Sequence, residues 1–233
     1  YNGTVIYFIQ GGNTVDVFDI IGPIMIGPSS SHTAGAVRIG RYARNILGTE
    51  PVKADIYFSG SFAKTYKGHG TDKAVIAGIL GMDTDDSGIK YSFETAHNKG
   101  LEFCFHEIEI ENSHPNTANI VLTGDNGNKV EVQGASVGGG NIVITKINGT
   151  NVEITGKFTT LIVLHQNIPG MISDVTSVLA RYGLNIGRFD LRRSPKGGKG
   201  VMIIELDSEV DEHVNEEIKA MENVIDSTLL KAI

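Results

Sequence analysis

Seven consecutive residues make the strongest case for chemistry. Gly27-Pro28-Ser29-Ser30-Ser31-His32-Thr33 gathers four hydroxyls and an imidazole just where the pattern behind them predicts the start of a helix. The unpaired N–H groups of a first helical turn and the positive end of the helix dipole favour an anion, so the run suits a carboxylate or a phosphate. It lacks the Gly-Lys-Thr/Ser ending of a nucleotide P-loop, and a serine at this place also serves as an ordinary helix cap.

Three further polar clusters are framed by glycine or proline. Lys67-Gly68-His69-Gly70-Thr71-Asp72-Lys73 combines imidazole, hydroxyl and ammonium groups at an expected helix start. Asn112-Ser113-His114-Pro115-Asn116 lies between two expected strands, where the proline fixes a loop that presents His114 and Asn116. Gly138-Gly139-Gly140 offers backbone N–H groups with no side chains in the way of a carboxylate. Each cluster alone reads as a cap, a loop or a turn. Four in one domain match the needs of a small zwitterion such as an amino acid. A mononuclear metal on His32, His69 and His114 finds no support, because no close His/Asp/Glu spacing such as H-E-x-x-H is present.

The elements that must position these groups form an α+β domain. The spacing predicts a helix from near His32 to Leu47, stopped by Gly48, then a strand over Val52 to Ser59 and a helix over Thr71 to Leu80. Phe103, Phe105, Ile108 and Ile110, then Ile120 with Leu122, Val130 with Val132, and Ile142 with Ile144 alternate as half-buried strands of a meander. Gly124 to Asn128 supplies a tight turn, while Asn148-Gly149-Thr150-Asn151 breaks the pattern. Tyr1 to Asn13 reads as a short β-prone run, either an edge strand or a leader. From about residue 157 a second ordered set begins. It runs strand (Thr160 to His165), helix (Pro169 to Arg181), strand (Asn185 to Arg193), strand (Gly200 to Leu206), helix (Asp211 to Met221), strand (Val224 to Leu230), with a Pro195-Lys196-Gly197-Gly198-Lys199 hairpin. That βαββαβ order is the ferredoxin-like arrangement. The expected division is therefore 1–13, 14–156 and 157–233.

Composition narrows the function. The 233 residues are 40% hydrophobic and 20% charged, as in a globular protein with real cores. A net charge of -7 gives no positive field to draw the chain to nucleic acid or anionic lipid. Cys104 is the only cysteine, so the chain can form no intrachain disulfide and no cysteine-held iron-sulfur cluster, and a reducing cytoplasm is the expected setting. No apolar run approaches the roughly 18 residues of a membrane span.

The run Asp16-Val17-Phe18-Asp19-Ile20-Ile21-Gly22-Pro23, followed by Ile26 to Gly35, Gly68-His69-Gly70-Thr71-Asp72, His114-Pro115-Asn116 and Gly138 to Gly140, strongly resembles the beta chain of bacterial iron-sulfur L-serine dehydratase. The resemblance implies a partner alpha subunit whose cysteines bind a [4Fe-4S] cluster, with one open iron site acting as Lewis acid on the serine hydroxyl. It implies further that Ser29, Ser30, Ser31, His32 and Thr33 hold the carboxylate and amino group of L-serine, and that His69, Thr71, His114 and Asn116 line the same pocket, with Gly139 contributing to substrate binding. Elimination needs a base near the Cα proton, for which His32, His69 and His114 are candidates, His32 and His69 foremost. The base can equally belong to the partner. His97, His106 and His213 are expected to be ordinary surface or strand positions.

The second half, with Leu164-His165-Gln166-Asn167-Ile168-Pro169-Gly170-Met171-Ile172, resembles an ACT domain, an amino-acid-sensing module. The resemblance implies pairing into a homodimer and an L-serine effector site at Asn167, Pro169, Gly170, Met171 and Asn185, with Asn167 and Asn185 facing a neighbouring copy across the pocket. Pro169 and Gly170 would open a helix whose N–H groups approach a ligand carboxylate. The rival reading is a free-standing amino-acid-binding regulator. The Ser29 to Thr33 run separates the two, because a pure sensor has no use for a second polar pocket.

Overall fold

The computed structural model describes residues 8–10, 13–15, 25–193 and 198–232. The Asp16 to Pro23 run, the Tyr1 to Asn13 segment apart from 8–10 and 13, and Pro195 to Gly197 of the expected hairpin lie outside the described residues. The chain divides into two compact units, Tyr1–Lys129 with Gln133–Val143, and Val130–Val132 with Ile144–Ile233. Short strands β1 (Phe8–Gln10) and β2 (Asn13–Val15) pair antiparallel.

In the first unit a wide π-turn at Ser30–Ala34 leads into α1 (Gly35–Leu47), so the helix expected from His32 becomes α-helical only at Gly35. Next come β3 (Pro51–Gly60), α2 (Ser61–His69), α3 (Thr71–Ile79), a 3-10 turn at Ser87–Tyr91, α4 (Ser92–Asn98), β4 (Glu102–Glu107) and β5 (Asn116–Gly124). β3 pairs parallel with β4 and antiparallel with β5. Alternate residues Ala54, Ile56 and Phe58 face Leu122, Ile120 and Ala118 in register, and all six are buried. This apolar face receives the helices, and each large side chain buried there contributes about 1.5–3 kcal/mol. The other face carries half-exposed Asp55 and Tyr57, with Tyr57 stacked on His106 at 4.5 Å. Helices α1 and α3 cross in backbone contact. A Cβ at Gly40 would lie 2.4 Å from the Val75 carbonyl oxygen, and one at Gly78 2.0 Å from that of Val37.

One helix lies outside the expected set, and two expectations need correction. The Lys67–Lys73 cluster straddles the junction of two helices, because Ser61–His69 is helical and Gly70 (φ 70°) turns the chain directly into α3. Only Phe62 and Tyr66 of α2 are buried, too short an apolar pattern to reveal the helix. Ile108 and Ile110 fall outside β4, which ends at Glu107; Ile108 is exposed and the Ile110 N–H donates to Ser59 Oγ at 3.1 Å. Asn148-Gly149, in place of a break in the regular pattern, forms a two-residue hairpin turn with φ of 48° and 74° between β7 (Asn141–Ile147) and β8 (Thr150–Ile154). The Gly124–Asn128 turn leads into β6 (Lys129–Gly138), where the Gly124 N–H donates to Asn128 O at 2.9 Å. Strand order in this six-stranded sheet is β4-β3-β5-β6-β7-β8.

From Thr159 the second unit runs β9 (Thr159–Gln166), α5 (Met171–Arg181), β10 (Ile186–Arg193), β11 (Lys199–Leu206), α6 (Glu212–Lys219) and β12 (Val224–Leu230). Sheet order is β10-β11-β9-β12 with every neighbour antiparallel, the ferredoxin-like topology. Leu161, Val163, Met202 and Ile204 on the sheet pack with Val175, Leu179, Val214 and Ile218 from the helices. No helix among the described residues is long and apolar enough to cross a membrane.

Candidate functional site

The serine run is folded around Ser29. Its hydroxyl accepts the His32 N–H at 3.3 Å and its carbonyl accepts the Thr33 N–H at 2.8 Å. Ser30 and Ser31, half-buried, fill the first turn, where helix N–H groups have no internal acceptor. Thr33 is buried, and its hydroxyl has no hydrogen-bond partner among the described residues.

His32 is the centre of the cluster. Its Nδ1 lies 3.3 Å from Ser29 Oγ and its Nε2 3.3 Å from Ser61 Oγ. Phe62 packs beneath it at 5.3 Å between ring centroids, and His69 meets it edge-on at 4.7 Å and 87°. Burial first, and the charge of His69 second, lower the His32 pKa below its ordinary value, which favours the neutral imidazole. His69 ends α2 and stands exposed. Thr71, at the start of α3, is fully buried, with a hydroxyl that lacks a partner among the described residues. Beside it burial raises the Asp72 carboxyl, against the pull of the Lys73 N–H.

The His114 loop joins this cluster through backbone. Pro115 O accepts the N–H groups of Ser61 at 2.6 Å and Phe62 at 3.3 Å, and Asn116 is the register partner of Gly60. His114 is exposed, and its Nδ1 accepts the Asn116 N–H at 3.1 Å. The glycine turn is anchored elsewhere on α1: Arg38 Nη1 donates to Gly140 O at 2.8 Å, and Gly138, Gly139 and Gly140 have φ of 110°, 58° and 79°. The fold thus gathers Ser29, His32, Ser61 and His69 by direct contact, ties His114 and Asn116 to them through Pro115, and fixes the Gly139 turn by way of Arg38, six residues beyond His32.

Ser61 and Arg38 escaped sequence reasoning. Ser59-Gly60-Ser61 at the end of a strand was the available signal for the first. Arg38 lies inside a helical pattern that gives no hint of its target. As chemistry, the cluster sets a neutral imidazole between hydroxyls next to an exposed imidazole, an arrangement able to hold a small zwitterion and accept a proton.

The second unit has a cleft of about 410 Å³ lined by Asn167, Ile168, Pro169, Gly170 and Met171, together with His165, Leu191 and Arg193. His165 and Arg193 were not anticipated. Asn185 is not among the lining residues of this chain; its amide donates to Asp207, before the first residue of β10.

Comparison with known proteins fits this geometry. Residues 15–100 match the family model of the serine dehydratase beta chain and residues 159–223 that of the ACT domain. The probable L-serine dehydratase beta chain of Bacillus subtilis (strain 168) is 45% identical over 212 residues, covering 91% of this chain and 96% of its own. This chain belongs to the L-serine dehydratase beta-chain family. A second member, the L-serine dehydratase beta chain of Peptoniphilus asaccharolyticus, is 40% identical over 87% of this chain and 90% of its own. L-serine dehydratase 2 of Escherichia coli (strain K12) is 46% identical over 74 residues, which make up 16% of that longer protein. The βαββαβ unit of this beta chain is its ACT domain.

Proposed function

We propose that the chain is the beta subunit of a cytoplasmic L-serine dehydratase, converting L-serine to pyruvate and ammonia together with a [4Fe-4S]-bearing alpha subunit. The observation that carries the reading is the His32 cluster, where the imidazole between Ser29 and Ser61 meets exposed His69. In this reading residues 14–156 clamp the substrate and 157–233 regulate. Ser29, Ser30, Ser31, Thr33, Thr71, His114, Asn116 and Gly139 bind the zwitterion, while His32 and His69 serve proton transfer. Loss of the Cα proton and of the β-hydroxyl, which leaves as water, gives aminoacrylate, and hydrolysis of its imine form gives pyruvate and ammonia.

The residues present do not fit an iron-sulfur cluster. Cys104 is the sole cysteine and is exposed, and no group of three His, Cys, Asp or Glu side chains that could hold a metal occurs among the described residues. The cluster is assigned to the alpha subunit. In the longer E. coli L-serine dehydratase 2 the matching 74 residues are a small part of the polypeptide, which leaves room for a cluster outside the matched segment.

The ACT cleft favours a second role. L-serine bound at Asn167, Pro169, Gly170 and Met171, with Asn185 supplied from the second copy of a homodimer, would regulate the enzyme by binding one arrangement more tightly than another. The test is pyruvate formation from L-serine without oxygen, by the chain alone and by the chain mixed with a reconstituted alpha subunit. Activity in the mixture only is the expected result. A silent mixture, with calorimetry showing serine bound to this chain, replaces the enzyme reading with a free-standing amino-acid-binding regulator.

A further inference from the structure

Both ring nitrogens of His32 face serine hydroxyls, Ser29 Oγ and Ser61 Oγ, each at 3.3 Å. The Ser29 contact is local, within one turn. The Ser61 contact joins residues 29 apart in sequence and depends on tertiary structure. Several features fix Ser61 in place. Its N–H and that of Phe62 donate to Pro115 O, and Thr65 Oγ1 donates to its carbonyl at 2.8 Å. Gly60 before it has φ 62° and ψ -125°, and a Cβ there would lie 2.5 Å from Pro115 O. That backbone conformation is sparsely populated by any residue with a side chain and is open to glycine. Here it turns β3 sharply into α2 and delivers one hydroxyl to one imidazole. Ser61 is not arranged as a nucleophile, because the two N–H groups that could have stabilised an oxyanion are taken by Pro115.

We propose that Ser61 is a positioning residue, whose hydroxyl acts with that of Ser29 to hold the His32 imidazole in one tautomer and one ring orientation, edge-on to His69. A ring bonded at both nitrogens cannot flip without losing both contacts, and because Ser29 Oγ already accepts the His32 backbone N–H, its own proton is directed to Nδ1, which leaves Nε2–H to donate to Ser61 Oγ. This deepens the dehydratase reading and rests on it for its catalytic consequence alone.

Nitrogen-15 NMR of the histidine-labelled full chain is the direct test. Wild type should show His32 in a single neutral tautomer near neutral pH, and Ser61→Thr, which keeps the hydroxyl, should retain it. Ser61→Ala should give the averaged shifts of mixed tautomers. Unchanged His32 nitrogen shifts in Ser61→Ala overturn the proposal. If Ser61→Ala fails to fold, Ser61→Cys, with its weaker donor, takes its place under the same criterion. In the assembled enzyme, Ser61→Ala should lower kcat about tenfold or more with little change in KM, and Ser61→Thr should recover it. A mixture of wild-type subunits that makes no pyruvate removes the dehydratase reading, while the nitrogen shifts still decide the role of Ser61.

Discussion

Gly60 shows how one residue without a side chain can govern a site. With φ 62° and Pro115 O 2.5 Å from where a Cβ would stand, any side chain there is strained and crowded. Gly60→Ala should destabilise the chain by about 1–3 kcal/mol, read from urea denaturation, and should displace Ser61 from His32. His32 itself makes stability depend on pH. Its pKa is lowered in the folded state, so the unfolded chain binds the proton more readily. The contribution is full above the ordinary value of 6.5 and is lost as pH falls below it towards the folded value. Urea midpoints at about pH 7.5 and about pH 5.5 should therefore differ less in His32→Gln than in wild type.

Helices α1 and α3 must hold the serine run and Thr71 at fixed positions, and they do so by letting their backbones touch at Gly40 and Gly78. In an isolated helix alanine is favoured over glycine by about 0.5–1 kcal/mol. Here the sign should reverse. Gly78→Ala would drive a methyl group to 2.0 Å from Val37 O, and the expected outcome is a loss of about 1–3 kcal/mol in chemical denaturation. Helix α2 illustrates the opposite weakness: with Phe62 and Tyr66 as its buried contacts it is ordered by the aromatic group around Phe58 more than by its own pattern.

The chain carries two candidate amino-acid sites, one in each unit, and each unit has its own core. Leu179→Ala removes a fully buried side chain from the ACT core and should lower its stability by about 2–5 kcal/mol, seen as an earlier thermal transition in calorimetry. Asn167→Ala should weaken L-serine binding at the ACT cleft in isothermal titration without abolishing pyruvate formation by the assembled enzyme, since Asn167 lies outside the His32 cluster. A loss of all turnover in that variant would mean that the cleft and the His32 cluster do not act as separate sites.

The ACT half was legible almost to the residue, since its strands alternate over long runs and Pro169-Gly170 and Gly183 bracket a helix of regular apolar period. The cluster types were legible too, because hydroxyl, imidazole and glycine-framed runs are local features of the chain. The sequence by itself thus determined the fold class, the residue chemistry and the absence of a cysteine set for a cluster. Only the tertiary structure decided that His32 meets His69 and Ser61 directly, that His114 joins through the Pro115 carbonyl, and that the glycine turn answers to Arg38. Those contacts span from 29 to 102 residues of sequence. Periodicity carries information over a few turns of helix or strand, whereas such pairings are set by strand register and helix crossing.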